Sequence, residues 1–290
     1  MQLFLLTALT MTAFAANSVL NRWAVGQNLI DPVSFALVRL VSGAFVLAVL
    51  LAARRILSGR SMGPGGWLAR TVGAASLLVY LIGFSLAYRS LDAGMGALVL
   101  FGMVQITMFI GALIGRENLP ARRWVGSSIA FLGLIYLLAP GGRAGSSPTA
   151  ALLMATAGIG WGVYSLSARN ASDPLAATAW NFMLAVPVML AVAGLVLQGG
   201  NPVADGAGAA LAILSGAVTS GLGYALWYRV LPLLGAARGG VAQLTVPVIA
   251  LAGGIAFLGE VMTLRFLIAC VLVLGGVAFA MLGQRRGSGS

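Results

Sequence analysis

The chain has 290 residues, 60% of them hydrophobic and only 8% charged, with a formal net charge of +11 and a mean hydropathy of +1.01. This composition excludes a water-soluble globular domain and marks an integral membrane protein whose partner is the lipid bilayer. All 17 basic residues are arginine and lie between apolar runs, not in an aromatic-interleaved patch, so nucleic acid is excluded as a partner. With no His and one Cys, Cys270, an internal disulfide and a His- or Cys-cluster metal site are excluded. No motif calls for a cofactor.

Ten apolar spans follow one another at about 3–22, 33–53, 71–90, 93–114, 122–139, 149–168, 175–196, 208–229, 238–258 and 265–283. The start, Met1-Gln2-Leu3, has no basic n-region and reads as a retained first helix, not a cleaved signal. Turn chemistry separates the spans at Asp31-Pro32, Pro64-Gly65-Gly66, Pro140-Gly141-Gly142, Asp173-Pro174 and Gly199-Gly200-Asn201-Pro202. Residues 287–290, Gly-Ser-Gly-Ser, read as an expression remnant. Placing the N-terminus inside leaves twelve arginines on the cytoplasmic side and four outside, with Arg39 within the second span. Both termini are then cytoplasmic.

One stretch is written twice. Tyr88-Arg89, Gly115-Arg116-Glu117, Arg122 and Gly133 match Tyr228-Arg229, Gly259-Glu260, Arg265 and Gly276. The repeat spans half the chain and each half holds five helices, an odd number, so the second half enters the membrane from the opposite side. The expected domains are 1–140 and 148–286. Architecture and class follow: an all-α membrane protein of ten helices, two inverted five-helix repeats around a central cavity.

The segment Gly259 to Thr263 followed by Arg265 and Gly275-Gly276-Val277, with its looser counterpart Gly115 to Pro120 and Gly126 to Gly133, resembles the EamA unit of the drug/metabolite transporter superfamily. The resemblance covers essentially the whole chain. It implies a secondary transporter with spans 5 and 10 peripheral; the inverted halves are expected to work by alternating access around a centre lined by spans 1, 3, 4, 6, 8 and 9. Within the superfamily, the aromatic-rich helices and the length look most like YddG-type amino-acid exporters of bacterial inner membranes.

Glu117 and Glu260 each sit five residues before an arginine, Arg122 and Arg265. Structural ion pairs between neighbouring helices account for them; proton coupling is the alternative and would need a carboxylate on the substrate route. Arg39 either snorkels toward the outer interface or captures a substrate carboxylate. Tyr80, Phe84 and Tyr88 share one helix face at i, i+4 and i+8, Tyr224 and Tyr228 repeat that pattern with Trp227 beside them, and Trp161 and Tyr164 add to it. These rings either pack helices or wall a cavity. Asn17, Asn21, Gln105, Asn181, Ser220 and Gln243 put polar groups inside spans, where they either orient a solute or bond helices together. Pro187 and Pro247 are candidate kinks.

An intramembrane enzyme would need a base, an acid pair or a nucleophile that the spans lack, so no catalytic residue is expected. A scaffold would need neither inversion nor embedded polar groups. Phosphate-bearing solutes call for more cations than Arg39 supplies, and multidrug cations call for an embedded acid. The expected substrate is a small neutral or zwitterionic metabolite, foremost an aromatic or apolar amino acid, held by Asn17, Asn21, Arg39, Tyr80, Phe84, Gln105, Trp161, Tyr164, Tyr224 and Gln243. Multidrug, nucleoside or sugar-phosphate carriage and a non-transporting scaffold stay open as alternatives. The expected unit is a monomer.

Overall fold

Two Asp-Pro steps start helices by the same chemistry. Asp31 Oδ1 accepts hydrogen bonds from the Val33 and Ser34 amides at 3.0 and 2.9 Å, and Pro32 then opens α2 (Pro32–Ser58). Asp173 accepts from the Ala176 amide at 3.2 Å ahead of α7 (Pro174–Leu197). In both, the carboxylate satisfies amides that have no helical partner, and proline takes the first helical position, where its missing N–H costs nothing.

The computed structural model describes residues 1–58, 66–116, 119–139, 147–168, 171–198 and 202–281. Its other helices are α1 (Gln2–Gly26), α3 (Trp67–Ala87), α4 (Ala93–Ile114), α5 (Ala121–Leu138), α6 (Pro148–Ala168), α8 (Gly206–Leu214), α9 (Gly223–Gln243), α10 (Thr245–Leu258) and α11 (Leu264–Met281). A π-helical turn, Ser215–Leu222, joins α8 to α9 without a break, so 206–243 form one rod. Nine stretches among the described residues are long and apolar enough to span a membrane. The tenth helix, α5, carries Arg122 and Arg123 in its first turn and packs along α11. Gly126 and Gly276 let these two backbones touch: a Cβ on Gly126 would lie 2.4 Å from the Gly276 carbonyl oxygen. Glu117, the Pro64-Gly65 and 140–142 turns and the 287–290 tail lie outside the described residues.

Helix packing follows a two-fold exchange of halves. α2 packs on α7, α4 on α10 and α5 on α11, pairs that the exchange maps onto themselves. The contact of α1 with α10 maps onto that of α4 with α6, and α3 against α6 maps onto the rod against α1. Loops at one end are tied by a single bridge, Ile30 with Ala204, and by Asp31 N–H to the Val203 carbonyl and Asp205 N–H to the Leu29 carbonyl at 2.8 and 2.9 Å. Large apolar side chains such as Phe45, Leu195, Phe257 and Val271 point outward, as a hydrocarbon solvent allows.

Two sequence expectations change. The break expected at 230–237 is helical, since α9 runs through Pro232 to Gln243 and turns only at Leu244. Proline is tolerated inside membrane helices because neighbours satisfy the freed carbonyl. Pro247 falls in the first turn of α10, where it removes no helical bond, so it is not a mid-span kink. Pro187 does lie inside α7.

Candidate functional site

The face of α3 bearing Tyr80, Phe84 and Tyr88 joins, through Trp161, a cluster of rings drawn from four other helices. Tyr80 contacts Phe84 at 5.3 Å between centroids, and Phe84 contacts Tyr88 edge-on at 4.7 Å. Trp161 of α6 lies at the hub, 4.9 Å from Tyr80, 5.2 Å from Tyr164 and 5.1 Å from Tyr224. Phe14 of α1 and Phe182 of α7 close on Tyr224 at 5.7 and 5.9 Å. Offset and edge geometries of this kind add about 0.5–1.5 kcal/mol per pair beyond area burial. A cavity survives among them, lined by Phe14, Asn17, Ser18, Tyr80, Phe84, Leu100, Phe101, Trp161 and Tyr224, with about 20 Å³ open to the centre of a water molecule. That is room for roughly one water. The rings have closed the centre.

Arg39 lies at the edge of this cluster and is fully buried. Its Nε donates to Ser220 Oγ at 3.1 Å and its Nη2 to the Tyr80 hydroxyl at 2.8 Å. The guanidinium carbon sits 5.2 Å from the Tyr80 centroid and 5.0 Å from that of Phe84. The Tyr224 hydroxyl also lies close to the guanidinium, and Nη1 is buried with no hydrogen bond to any described residue. Snorkelling is therefore not what this side chain does.

The π-helical turn builds the polar wall. Ser215 Oγ donates to Asn17 Oδ1 at 2.8 Å, Thr219 donates to the same oxygen, and Ser220 lies 3.5 Å from it. Ser220 thus links Arg39 to Asn17. A wider helical turn brings residues four and five apart onto one face, and such turns concentrate at functional sites. Gly216 permits the approach of α2 here, since a Cβ would stand 2.2 Å from the Arg39 carbonyl oxygen.

The structure gathers Asn17, Tyr80, Phe84, Trp161 and Tyr224 around the cavity and sets Arg39 and Tyr164 against its walls. Asn21 is one step removed, donating to Ser85 at 2.9 Å. Gln105 and Gln243 are half-buried and outside the lining, so the ninth span contributes nothing to it. Phe14, Ser18, Leu100, Phe101, Ser215 and Thr219 were not singled out by the sequence. Phe14, Asn17, Ser18 and Asn21 do follow i, i+3, i+4, i+7 spacing, the signal that one face of α1 looks inward.

Glu260 and Arg265 do not pair. Arg265 donates to the Tyr136 and Ala139 carbonyls at the end of α5, which carry the free lone pairs of a helix C-terminus. Glu260, its side chain 6% exposed, faces Arg22 at 3.8 Å and accepts from the Ala93 amide at 2.7 Å. Burial pushes its carboxyl above the ordinary range, Asp92 adds to this, and the Ala93 amide and Arg22 oppose it. Arg22 also reaches Asp92 at 3.7 Å and the Tyr88 and Arg89 carbonyls. This group ties α1, α4 and α10 at one end. Toward the other, the Tyr164 hydroxyl donates to Thr178 at 2.8 Å, Thr178 donates to Tyr228 at 3.0 Å, and Arg54 pairs with Asp173. Glu117, expected to pair with Arg122, lies outside the described residues.

A model of the EamA-like transporter family matches residues 2–139 and again residues 148–282. An uncharacterised protein of Pseudomonas aeruginosa is 48% identical over 282 residues, covering 96% of this chain and 93% of that protein. A protein of known crystal structure superimposes with a TM-score of 0.64 over 96% of this chain and 99% of its own. At 18% identity that likeness concerns the fold.

Proposed function

The chain belongs to the EamA-like transporter family, a multi-pass membrane transporter, and from that premise we propose that it exports small neutral or zwitterionic metabolites across a bacterial inner membrane. Amino acids with aromatic or apolar side chains are the foremost class. One observation carries this reading: the cavity between the halves is walled by aromatic rings, with the Asn17 amide on one side and no acid within the spans. Rings hold an apolar side chain, and a few fixed polar groups orient the rest of the solute.

Room for about one water cannot hold an amino acid. Loading therefore requires Trp161, Tyr80 and Tyr224 to part, and release requires one of the two tied ends to open. Alternating access by the inverted halves supplies both movements. The Arg22–Glu260 group closes the outer end if the N-terminus is cytoplasmic, and the Tyr164–Thr178–Tyr228 chain closes the inner.

Uptake by liposomes containing the purified protein tests this, with a panel of amino acids, nucleosides, sugars and organic cations, with and without a pH gradient. Saturable, mutually competing uptake of aromatic and branched amino acids is expected. Saturable cation uptake with no amino-acid uptake would overturn the substrate class.

A further inference from the structure

The sequence holds six acids, Asp31, Asp92, Glu117, Asp173, Asp205 and Glu260. None lies within a membrane span. Asp31, Asp173 and Asp205 are occupied as helix caps, Asp92 and Glu260 face Arg22 at one end, and Glu117 falls between α4 and α5 in sequence. Arg39 is thus a guanidinium buried in the centre with no carboxylate among the described residues paired to it. Tyrosine and serine oxygens take two of its nitrogens, the Tyr80 and Phe84 rings lie near its charge, and Nη1 makes no hydrogen bond to any described residue. Arginine does not shed its proton to escape such a position. A buried charge without a counter-ion is unfavourable unless something else supplies one.

We propose that the cargo supplies it: Arg39 is the anchor for a carboxylate, and the ligands of this site are organic carboxylates with an apolar body, with or without an ammonium group. This rests on the carrier reading above, specifies the group it recognises, and extends its substrates from zwitterions to carboxylate anions. The geometry suits the role. Nη1 and Nη2 form the edge of the guanidinium that matches the two oxygens of a carboxylate, and one of the two is already vacant. Tyr80 and Phe84, which flank the charge, also line the cavity, so a carboxylate on Arg39 leaves the attached apolar group among Phe84, Trp161 and Tyr224. The desolvation of the cation is already met in the fold, so the anion gains a preorganised partner. An amine without a carboxylate meets only like charge.

Calorimetric titration of the full chain in lipid nanodiscs separates the possibilities. 3-Phenylpropionate, phenylalanine and 2-phenylethylamine share a ring and a two-carbon reach and differ in their charged ends. The first two should bind and the amine should bind at least about 10-fold more weakly, the scale of one charge-assisted hydrogen bond. Arg39→Gln should weaken both carboxylates by about 10- to 100-fold without weakening the amine, and Arg39→Lys should recover part of the loss. Equal binding of amine and propionate, binding of neither carboxylate, or an unchanged ranking in folded Arg39→Gln overturns the inference. The ranking in the unaltered protein decides the matter even where that variant does not fold. Amino-acid flux in liposomes without carboxylate preference would overturn this inference alone, whereas carboxylate binding without flux would overturn the transport reading alone.

Discussion

Replacing Gly216 with Ala tests how tightly α2 is seated on the π-helical turn. The new Cβ would stand 1.9 Å from Ser42 Oγ, 2.2 Å from the Arg39 carbonyl oxygen and 2.8 Å from the Arg39 carbonyl carbon, where ordinary contact begins at 3.4 Å. Ser42 can rotate away. The Arg39 carbonyl is backbone and cannot, so α2 must retreat by about 1.2 Å, the difference between the 3.4 Å contact and the 2.2 Å approach. The Arg39–Ser220 bond, 3.1 Å long, is then lost. Overpacking costs about 1–3 kcal/mol, and a hydrogen bond to a charged group about 1.5–3 kcal/mol. A combined loss of about 2.5–6 kcal/mol should lower the apparent Tm by on the order of 5–15 °C. Thermal unfolding of the purified protein in one detergent, at one scan rate, is the assay. Gly194→Ala in α7 is the control, because its Cβ meets nothing within 4 Å and should change stability by less than about 1 kcal/mol. Equal Tm values for the two variants would refute the close seating of α2 and with it the placement of Arg39.

Tyr80→Phe removes the oxygen that accepts from Arg39 Nη2 and should cost about 1–3 kcal/mol, with a smaller cost in an Arg39→Gln background; equal costs in a double-mutant thermal cycle would show that the two groups are uncoupled. Asp173→Ala loses both the cap on Ala176 and the ion pair with Arg54 and should cost about 1–2 kcal/mol, whereas Asp173→Asn keeps the cap and loses less; the reverse order in denaturation midpoints would contradict the cap. Glu260 has its carboxyl pKa raised in the folded protein by burial, so the folded state binds the proton more tightly than the unfolded chain does. Its contribution to stability is complete below the ordinary carboxylate pKa and declines as pH rises through the raised folded value. Glu260→Gln should remove that decline, and a slope of Tm against pH unchanged between pH 4 and 7, a range of about three units that begins near the ordinary carboxylate pKa, would show that Glu260 is not its source.

Helix starts and helix faces were legible in the sequence because they are local. Asp31 and Asp173 cap within three residues, and Tyr80, Phe84 and Tyr88 share a face by spacing alone. Glu260 misled because five-residue proximity to Arg265 competes with a partner more than two hundred residues away: the left-handed turn at Gly259, φ 67°, precedes a carboxylate that faces Arg22 and Ala93. The expected break at 230–237 failed because arginines that mark topology are not turn signals, and Pro232 does not end a helix whose neighbours are helical. Of the polar wall the sequence marked Asn17 and Ser220 but not their meeting, since Ser215, Thr219 and Ser220 reach Asn17 only through the π-helical turn and a contact across the two halves. Arg39 was visible as an anomaly. What the fold added is that it stays buried, bonded to Tyr80 and Ser220 with one nitrogen left over.

Counterflow puts the central claim, an aromatic-walled site that carries amino acids, to its most direct test. Liposomes containing the protein are loaded with unlabelled phenylalanine, diluted, and given a trace of labelled phenylalanine outside. The account predicts a transient accumulation of label above that in unloaded liposomes, abolished in Trp161→Ala and Tyr224→Ala variants that keep the fold. Identical label in loaded, unloaded and protein-free liposomes would contradict it.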